Sequence, residues 1–205
     1  MALVEAMSET RIANLALYRI GADTIEDIEN PDTPNGWRCN QMYPQTRDAL
    51  LRSHWWRFAT DRATLSEDTT APDFEWDNQF DLPNDFMRMK ELYDSTNSYS
   101  LEGKKLLTND DTAEIVYIKR VTDPTQFDSL FTEVLVLQLA VRLATTITGG
   151  RLLSRELNGE LAPLMARART IDRQETHTTG RADRPTWVGA HNGSGKVTTS
   201  IEEER

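Results

Sequence analysis

The chain has 205 residues, the size of one domain or of one domain with an insertion and a tail. It carries 23 Lys and Arg against 33 Asp and Glu, a formal net charge of −10, which argues against a protein that coats nucleic acid through excess cationic side chains. The single cysteine, Cys39, allows neither an internal disulfide nor a cysteine-built zinc site.

A first helix is predicted between Ser8, a suitable N-cap, and Gly21, a typical helix stop. Its apolar face is predicted to contain Ile12, Leu15, Ala16 and Ile20. An acidic connection rich in proline follows. A second helix is predicted over roughly residues 37–54, where apolar side chains recur every three or four positions. Pro44 lies inside it, so the helix is expected either to bend there or to begin its regular part there.

Aromatic residues cluster along and just after this second helix, at Trp37, Tyr43, Trp55, Trp56 and Phe58. Base stacking is one interpretation, but basic residues do not alternate with these rings as a nucleic-acid groove requires. Packing in the core, where the helix meets the next element, is therefore the favoured interpretation.

Residues 57–121 have a different character, with short alternating segments separated by Asp, Asn, Ser, Gly and Pro. This pattern is typical of short antiparallel strands joined by turns. The last segment alternates Ile115, Tyr117 and Lys119 with Val116, Ile118 and Arg120, which predicts a strand with one less polar side. We expect a small sheet inserted between helices.

A third helix is predicted from the sequence DPTQFD onward, with Asp123 or Thr125 as its cap and Gly149–Gly150 as its end. Its core, residues 130–144, is apolar almost all round, which predicts burial on several sides. This run is also interpreted as too short and too polar to span a bilayer. A fourth helix is predicted over residues 151–174. Its apolar stripe consists of Leu153, Leu157, Leu161, Leu164, Ala168 and Ile171.

Together these elements predict an α+β fold that is mainly α. Residues 1–56 and 122–175 are expected to form an antiparallel helical bundle, with residues 57–121 as an inserted antiparallel β region. Residues 176–205 are rich in Gly, Thr, Ser and charge and cannot bury enough apolar surface to fold alone, so they are predicted to be an extended C-terminal tail.

The chain offers no convincing set of catalytic, cofactor-binding or metal-binding residues. The histidines His54, His177 and His191 lack metal-ligand spacing, and the acidic groups Asp81/Asp85, Asp110–Asp111 and Glu202–Glu204 are better explained by turns and solvated charge. Gly195–Lys196 resembles the end of a phosphate-binding loop, but Val197 replaces the required hydroxyl and too few residues follow for a helix. A small metal-dependent enzyme is therefore only the alternative from a different class.

Charge instead indicates a surface for a partner near the fourth helix. Residues 142–173 contain six arginines against three acidic residues, within a chain that is strongly acidic overall. Trp187 stands alone in the polar tail, where it is either an anchor that a partner buries or an incidental exposed side chain. The candidate partner-binding residues are Arg167, Arg169, Arg173, Arg181, Arg184 and Trp187.

Landmarks in chain order resemble the tail tubular protein A-like family, the head-to-tail adaptors of short-tailed bacteriophages. The matching pieces are NLALYRIGADTIEDIE, CNQMYPQTRDALLRSHWWRFA, LPNDFMRM, YIKRVTDPTQFDSLFTEVLVLQLAVRLATTITG and a helical end at ARTIDRQE, which together cover about residues 8–175. The resemblance lies in their order and spacing rather than in any single catalytic motif.

This resemblance implies a helical bundle with an inserted β region, and a virion protein of the neck or tail that is assembled in the host cytoplasm. It implies a homo-oligomeric ring, commonly a dodecamer, that docks on the portal protein, extends the channel for double-stranded DNA and supports the tail nozzle protein. DNA would pass through without specific binding, and no membrane, cofactor or enzymatic activity is expected. A connector subunit of a long-tailed phage is the alternative within the same class.

Overall fold

The computed structural model describes residues 6–93, 95, 97–149 and 151–175. Within these residues it shows four α-helices and two small antiparallel sheets, and about 48 % of the described residues are helical. The α+β class is therefore confirmed. Residues Met1–Arg173 form one compact unit, and a second unit, Gln174–Arg205, lies almost wholly outside the described residues.

Helix α1 spans Glu9–Arg19 and begins as predicted, with the Ser8 hydroxyl accepting a hydrogen bond from the Arg11 backbone N–H at 3.1 Å. Its buried face consists of Ile12, Ala13, Ala16 and Leu17. The prediction that Leu15 belongs to this face is wrong, because that side chain is 42 % exposed. At 100° per residue, Leu15 lies between the buried positions in sequence but points away from them in space.

Helix α2 spans Pro34–Ser53, with the Thr33 hydroxyl accepting from the Gly36 N–H. The helix runs continuously through Pro44, so it does not restart there. Pro44 lies on the exposed side, where the carbonyl that loses its helical donor can be hydrated. Trp37 is 57 % exposed, so its predicted place in the core is wrong; Tyr43 and Trp56 are buried as expected.

Helix α3 spans Ser129–Ile147, and ten of its side chains are buried. Its cap is Asp128, whose carboxylate accepts from the N–H groups of Leu130 and Phe131, rather than Asp123 or Thr125 as predicted. Asp123 instead caps a short 3-10 turn, Pro124–Gln126. The helix begins later because the chain first makes this separate turn.

By length and composition alone, α3 is long and apolar enough to cross a membrane, so the expectation that it is too short and too polar is wrong. Such a helix is weak evidence for a membrane span, because 56 % of its most apolar window is buried by the rest of the fold. This burial is typical of the core helix of a folded domain.

Helix α4 spans Arg151–Gln174, the predicted bounds. Its apolar stripe packs on the core, with Leu157 and Ala168 fully buried and Leu153, Leu161 and Leu164 half-buried. Ile171 lies at the exposed end of the stripe. Pro163 lies inside the helix on an exposed side, so the long helix is not interrupted there.

Six strands form between α2 and α3, in the segments that the alternation predicted. They are β1 Thr60–Thr64, β2 Asn78–Asp81, β3 Phe86–Leu92, β4 Tyr99–Glu102, β5 Lys105–Thr108 and β6 Glu114–Lys119. All pairs are antiparallel, in one sheet of order β1-β6-β3 and another of order β2-β5-β4.

The central strand β6 is buried on both faces, which corrects the prediction of one less polar side. Ile118 belongs to the core that the four helices share, while Ile115 and Tyr117 belong to a smaller core among the strands. Successive strand residues point to opposite faces, so β6 joins the helical core to the sheet core.

Candidate functional site

Helix α4 is the least buried of the four α-helices in the described part of the chain. Only two of its 24 residues are buried, and both lie on the side that faces the core. The opposite side carries Arg151 and Arg155, one helical turn apart, with Leu152 80 % exposed beside them. A helix this amphipathic offers one long, cationic outer face.

Three of the predicted partner-binding residues lie on the C-terminal half of α4. Arg167 is exposed and lines a groove of about 360 Å³ between α1, α3 and α4, near Glu133 and the Arg19–Glu160 ion pair. Arg173 is also exposed. Arg169 is half-buried and its guanidinium donates to the Ser53 carbonyl at 3.4 Å, so it contacts its own chain. Arg181, Arg184 and Trp187 lie outside the described residues.

A buried polar contact fastens the C-terminal end of α4 to the junction between α2 and β1. The His54 Nε2 lies 3.0 Å from one carboxylate oxygen of Asp172, and the other oxygen accepts from the Arg57 backbone N–H at 3.0 Å. His54 is buried and meets the Trp56 ring edge-on at 4.9 Å between ring centroids. Asp172 thus ties α4 to the segment between α2 and β1 at two points.

Burial lowers the pKa of His54 below its ordinary value of 6.5, because an imidazolium is poorly solvated there. The hydrogen bond to Asp172 and its charge act in the opposite direction, while Arg169 and Arg173 add to the lowering. His54 is therefore neutral at pH 7, and acidification introduces a charge at this junction.

The lowered pKa predicts a stability that depends on pH. The unfolded chain binds the His54 proton at a higher pH than the folded chain does. The contribution of neutral His54 to the free energy of unfolding is therefore present above about pH 6.5 and is lost as the pH falls through the folded-state pKa. We expect the free energy of unfolding to fall as the pH drops below about 6.5, and to fall less steeply in His54→Gln. Urea titrations at several pH values measure the free energy of unfolding of both proteins. An equal pH dependence in wild type and His54→Gln would contradict the prediction.

The predicted acidic groups do not converge on a site. Asp81 forms an ion pair with Lys105 at 2.6 Å, and Asp85 accepts from the Tyr117 hydroxyl at 3.1 Å. Asp110 accepts from the side chains of Ser95 and Asn97. Among the described residues, no group of three or more His, Cys, Asp or Glu side chains could hold a metal ion.

Cys39 is buried in the helical core, where burial raises the pKa of its thiol to about 11. A thiol that remains protonated at neutral pH is a poor nucleophile. Cys39 therefore acts as a small core residue.

Sequence reasoning missed an exposed acidic loop, residues 66–77, between β1 and β2. Its outermost aromatic side chain, Phe74, is 79 % exposed. The Trp76 N–H donates to the Phe74 carbonyl at 2.9 Å, and Glu75 between them has φ 73°, so the chain turns sharply there. The absence of Lys and Arg across this stretch was visible in the sequence, but the exposure of Phe74 was not.

Comparison with known proteins adds no assignment. No family model matches the chain, and no curated protein matches it at a significant level.

Proposed function

We propose that this chain is a structural subunit of a phage virion, the head-to-tail adaptor that its landmarks resemble. Many copies form a ring, commonly of twelve, which docks on the portal protein and supports the tail nozzle. The observation that carries the proposal is helix α4, a 24-residue helix with two buried residues and an arginine-rich outer face. A face of this size and charge fits a protein that acts by binding other proteins.

Charge distribution supports association between copies. Residues 57–121 contain eight Lys and Arg against fourteen Asp and Glu, a net charge of −6, whereas α4 contains five arginines against three acidic residues. Unlike surfaces on one chain can pair head to tail, and such contacts close into a ring when the rotation between copies permits. A closed ring needs only a modest interface per subunit because the contacts are many.

The finer architecture belongs to the same proposal. The helices act as a bundle core, the strands as an inserted β region, and residues 176–205 as an extended tail that becomes ordered on docking. A segment that orders on binding loses chain entropy, which offsets part of the binding energy. Docking would then depend on a few anchoring side chains such as Trp187.

The acidic balance of the chain also suits the wall of a DNA channel. A cationic lining would bind phosphates with release of counterions and would slow the moving duplex. An acidic lining repels phosphate, so double-stranded DNA slides without specific binding. The net charge of −10 is in keeping with this role.

Binding to a portal protein tests the proposal. We expect the purified chain to co-sediment with the portal encoded in the same genome, with several copies per portal ring. Native mass spectrometry would then show mass increments of multiples of 23.4 kDa. A portal that binds no copies would contradict the proposal. A neighbouring nozzle gene would favour the short-tailed phage adaptor, and long-tail genes would favour the connector alternative.

A further inference from the structure

The acidic loop and the cationic helix face form two complementary surfaces on one chain. Between residues 66 and 85 there are seven Asp and Glu and no Lys, Arg or His. Three of these carboxylates, on Asp73, Glu75 and Asp77, are exposed and form no ion pair within the described part of the chain. Unpaired charge of one sign is thus concentrated at the tip of this loop.

Phe74 gives this loop an apolar anchor. It lies between Asp73 and Glu75, and the turn centred on Glu75 holds it away from the sheet core, whose aromatic members are Phe80, Phe86 and Tyr117. Aromatic side chains are enriched in the centres of protein interfaces, where charged groups surround them. An exposed phenylalanine flanked by acidic residues is therefore complementary to a cationic surface that has small side chains at its centre.

Helix α4 offers such a surface. Arg151 and Arg155 are exposed and form no ion pair among the described residues, and the next turns on the same side present Gly159 and Ala162. Nothing within 4 Å fills the space beside Gly159. The outer face of α4 thus combines two free cations with room for a ring.

The geometry points to a head-to-tail contact in which the acidic loop of one copy docks on the outer face of α4 in the next copy. In this contact Phe74 packs beside Gly159 and Ala162, and the loop carboxylates pair with Arg151 and Arg155. This assignment rests on the proposed function, in which copies of the chain form a ring. It names a second copy of the chain as the partner that binds the outer face of α4. No hydrogen bond or ion pair joins the two surfaces within one described chain, so both are available to neighbours.

Charge reversal tests the contact. The loop variant carries Asp73→Lys, Glu75→Lys and Asp77→Lys, and the helix variant carries Arg151→Glu and Arg155→Glu. Each variant alone should need at least about tenfold more protein to associate, because like charges then face each other. A mixture of the two should associate at wild-type concentrations, because each loop then meets a helix of opposite charge.

A control matched to the loop variant carries Asp23→Lys, Glu26→Lys and Glu29→Lys, three exposed acids outside the loop. It changes the net charge by the same amount as the loop variant does. It should associate like wild type. Sedimentation at low salt without portal, with circular dichroism to confirm folding, gives the result. A mixture that associates no better than either variant alone overturns the contact. Absence of rings on the portal with wild-type protein would instead overturn the proposed function, and the mixing result would still decide the contact.

Discussion

Replacing Trp56 by alanine is expected to lower the free energy of unfolding by about 3–5 kcal/mol, the range for a fully buried tryptophan. The side chain is 1 % exposed, and its ring meets Phe131 of α3 edge-on at 5.1 Å between centroids. Its indole N–H donates to the Leu50 carbonyl of α2 at 2.9 Å. Removal opens a cavity between α2 and α3. The Leu50 carbonyl loses the indole donor but keeps the Ser53 hydroxyl, so the loss of packing dominates the effect.

The matched control is Trp37→Ala, which removes the same side chain from an exposed position of α2. We expect it to change the free energy of unfolding by no more than about 0.5 kcal/mol, as for most surface substitutions. Chemical denaturation followed by circular dichroism compares the two variants. Equal losses of stability in the two variants would contradict the burial of Trp56 in the core.

Deletion of residues 176–205 is expected to weaken docking on the portal at least about a hundredfold, or about 2.8 kcal/mol, while leaving the free energy of unfolding unchanged. Within the described part of the chain, every residue of both hydrophobic cores lies before the deleted segment. The segment contains Arg181, Arg184 and Trp187, and single anchors of these residue types contribute about 2 kcal/mol or more to interfaces.

The control is deletion of residues 196–205 alone, which keeps those three residues. It should dock like the full chain. Surface plasmon resonance against immobilised portal measures both deletions, with thermal unfolding as the check on folding. Normal docking by the longer deletion would show that the portal surface lies elsewhere on the chain.

The strands and the fourth helix were predictable because their signals are local. Alternation of apolar and polar residues located β1 to β6, and the regular stripe from Leu153 to Ile171 predicted α4. The capping residue Ser8 likewise marked the start of α1, since a cap satisfies the first free N–H groups wherever the helix packs.

The exposure of individual side chains on the helices was predicted wrongly from the sequence. Leu15 and Trp37 are apolar residues on otherwise well-predicted helices, yet both point outward, because the side that a helix buries depends on which neighbours it meets. The cap of α3 was placed too early because Asp123 and Asp128 both suit the role, and only the intervening 3-10 turn distinguishes them.

The candidate site likewise combines features that the sequence could predict with features that it could not. The arginines of α4 stood out by count, but the use of Arg169 within the chain depends on the approach of Ser53 from α2. The contact between His54 and Asp172 joins residues 118 positions apart. No periodicity encodes such a pair. Phe74 lies in the region predicted to form strands, but the structure places it in a sharp turn with its side chain exposed.

The most direct measurement of the central claim is electron microscopy of the chain mixed with its portal. The account predicts a closed annulus of regularly spaced copies on the narrow end of the portal, with a continuous channel through both rings. Portal rings that remain bare at saturating protein concentration would contradict it, as would single copies bound without annular order.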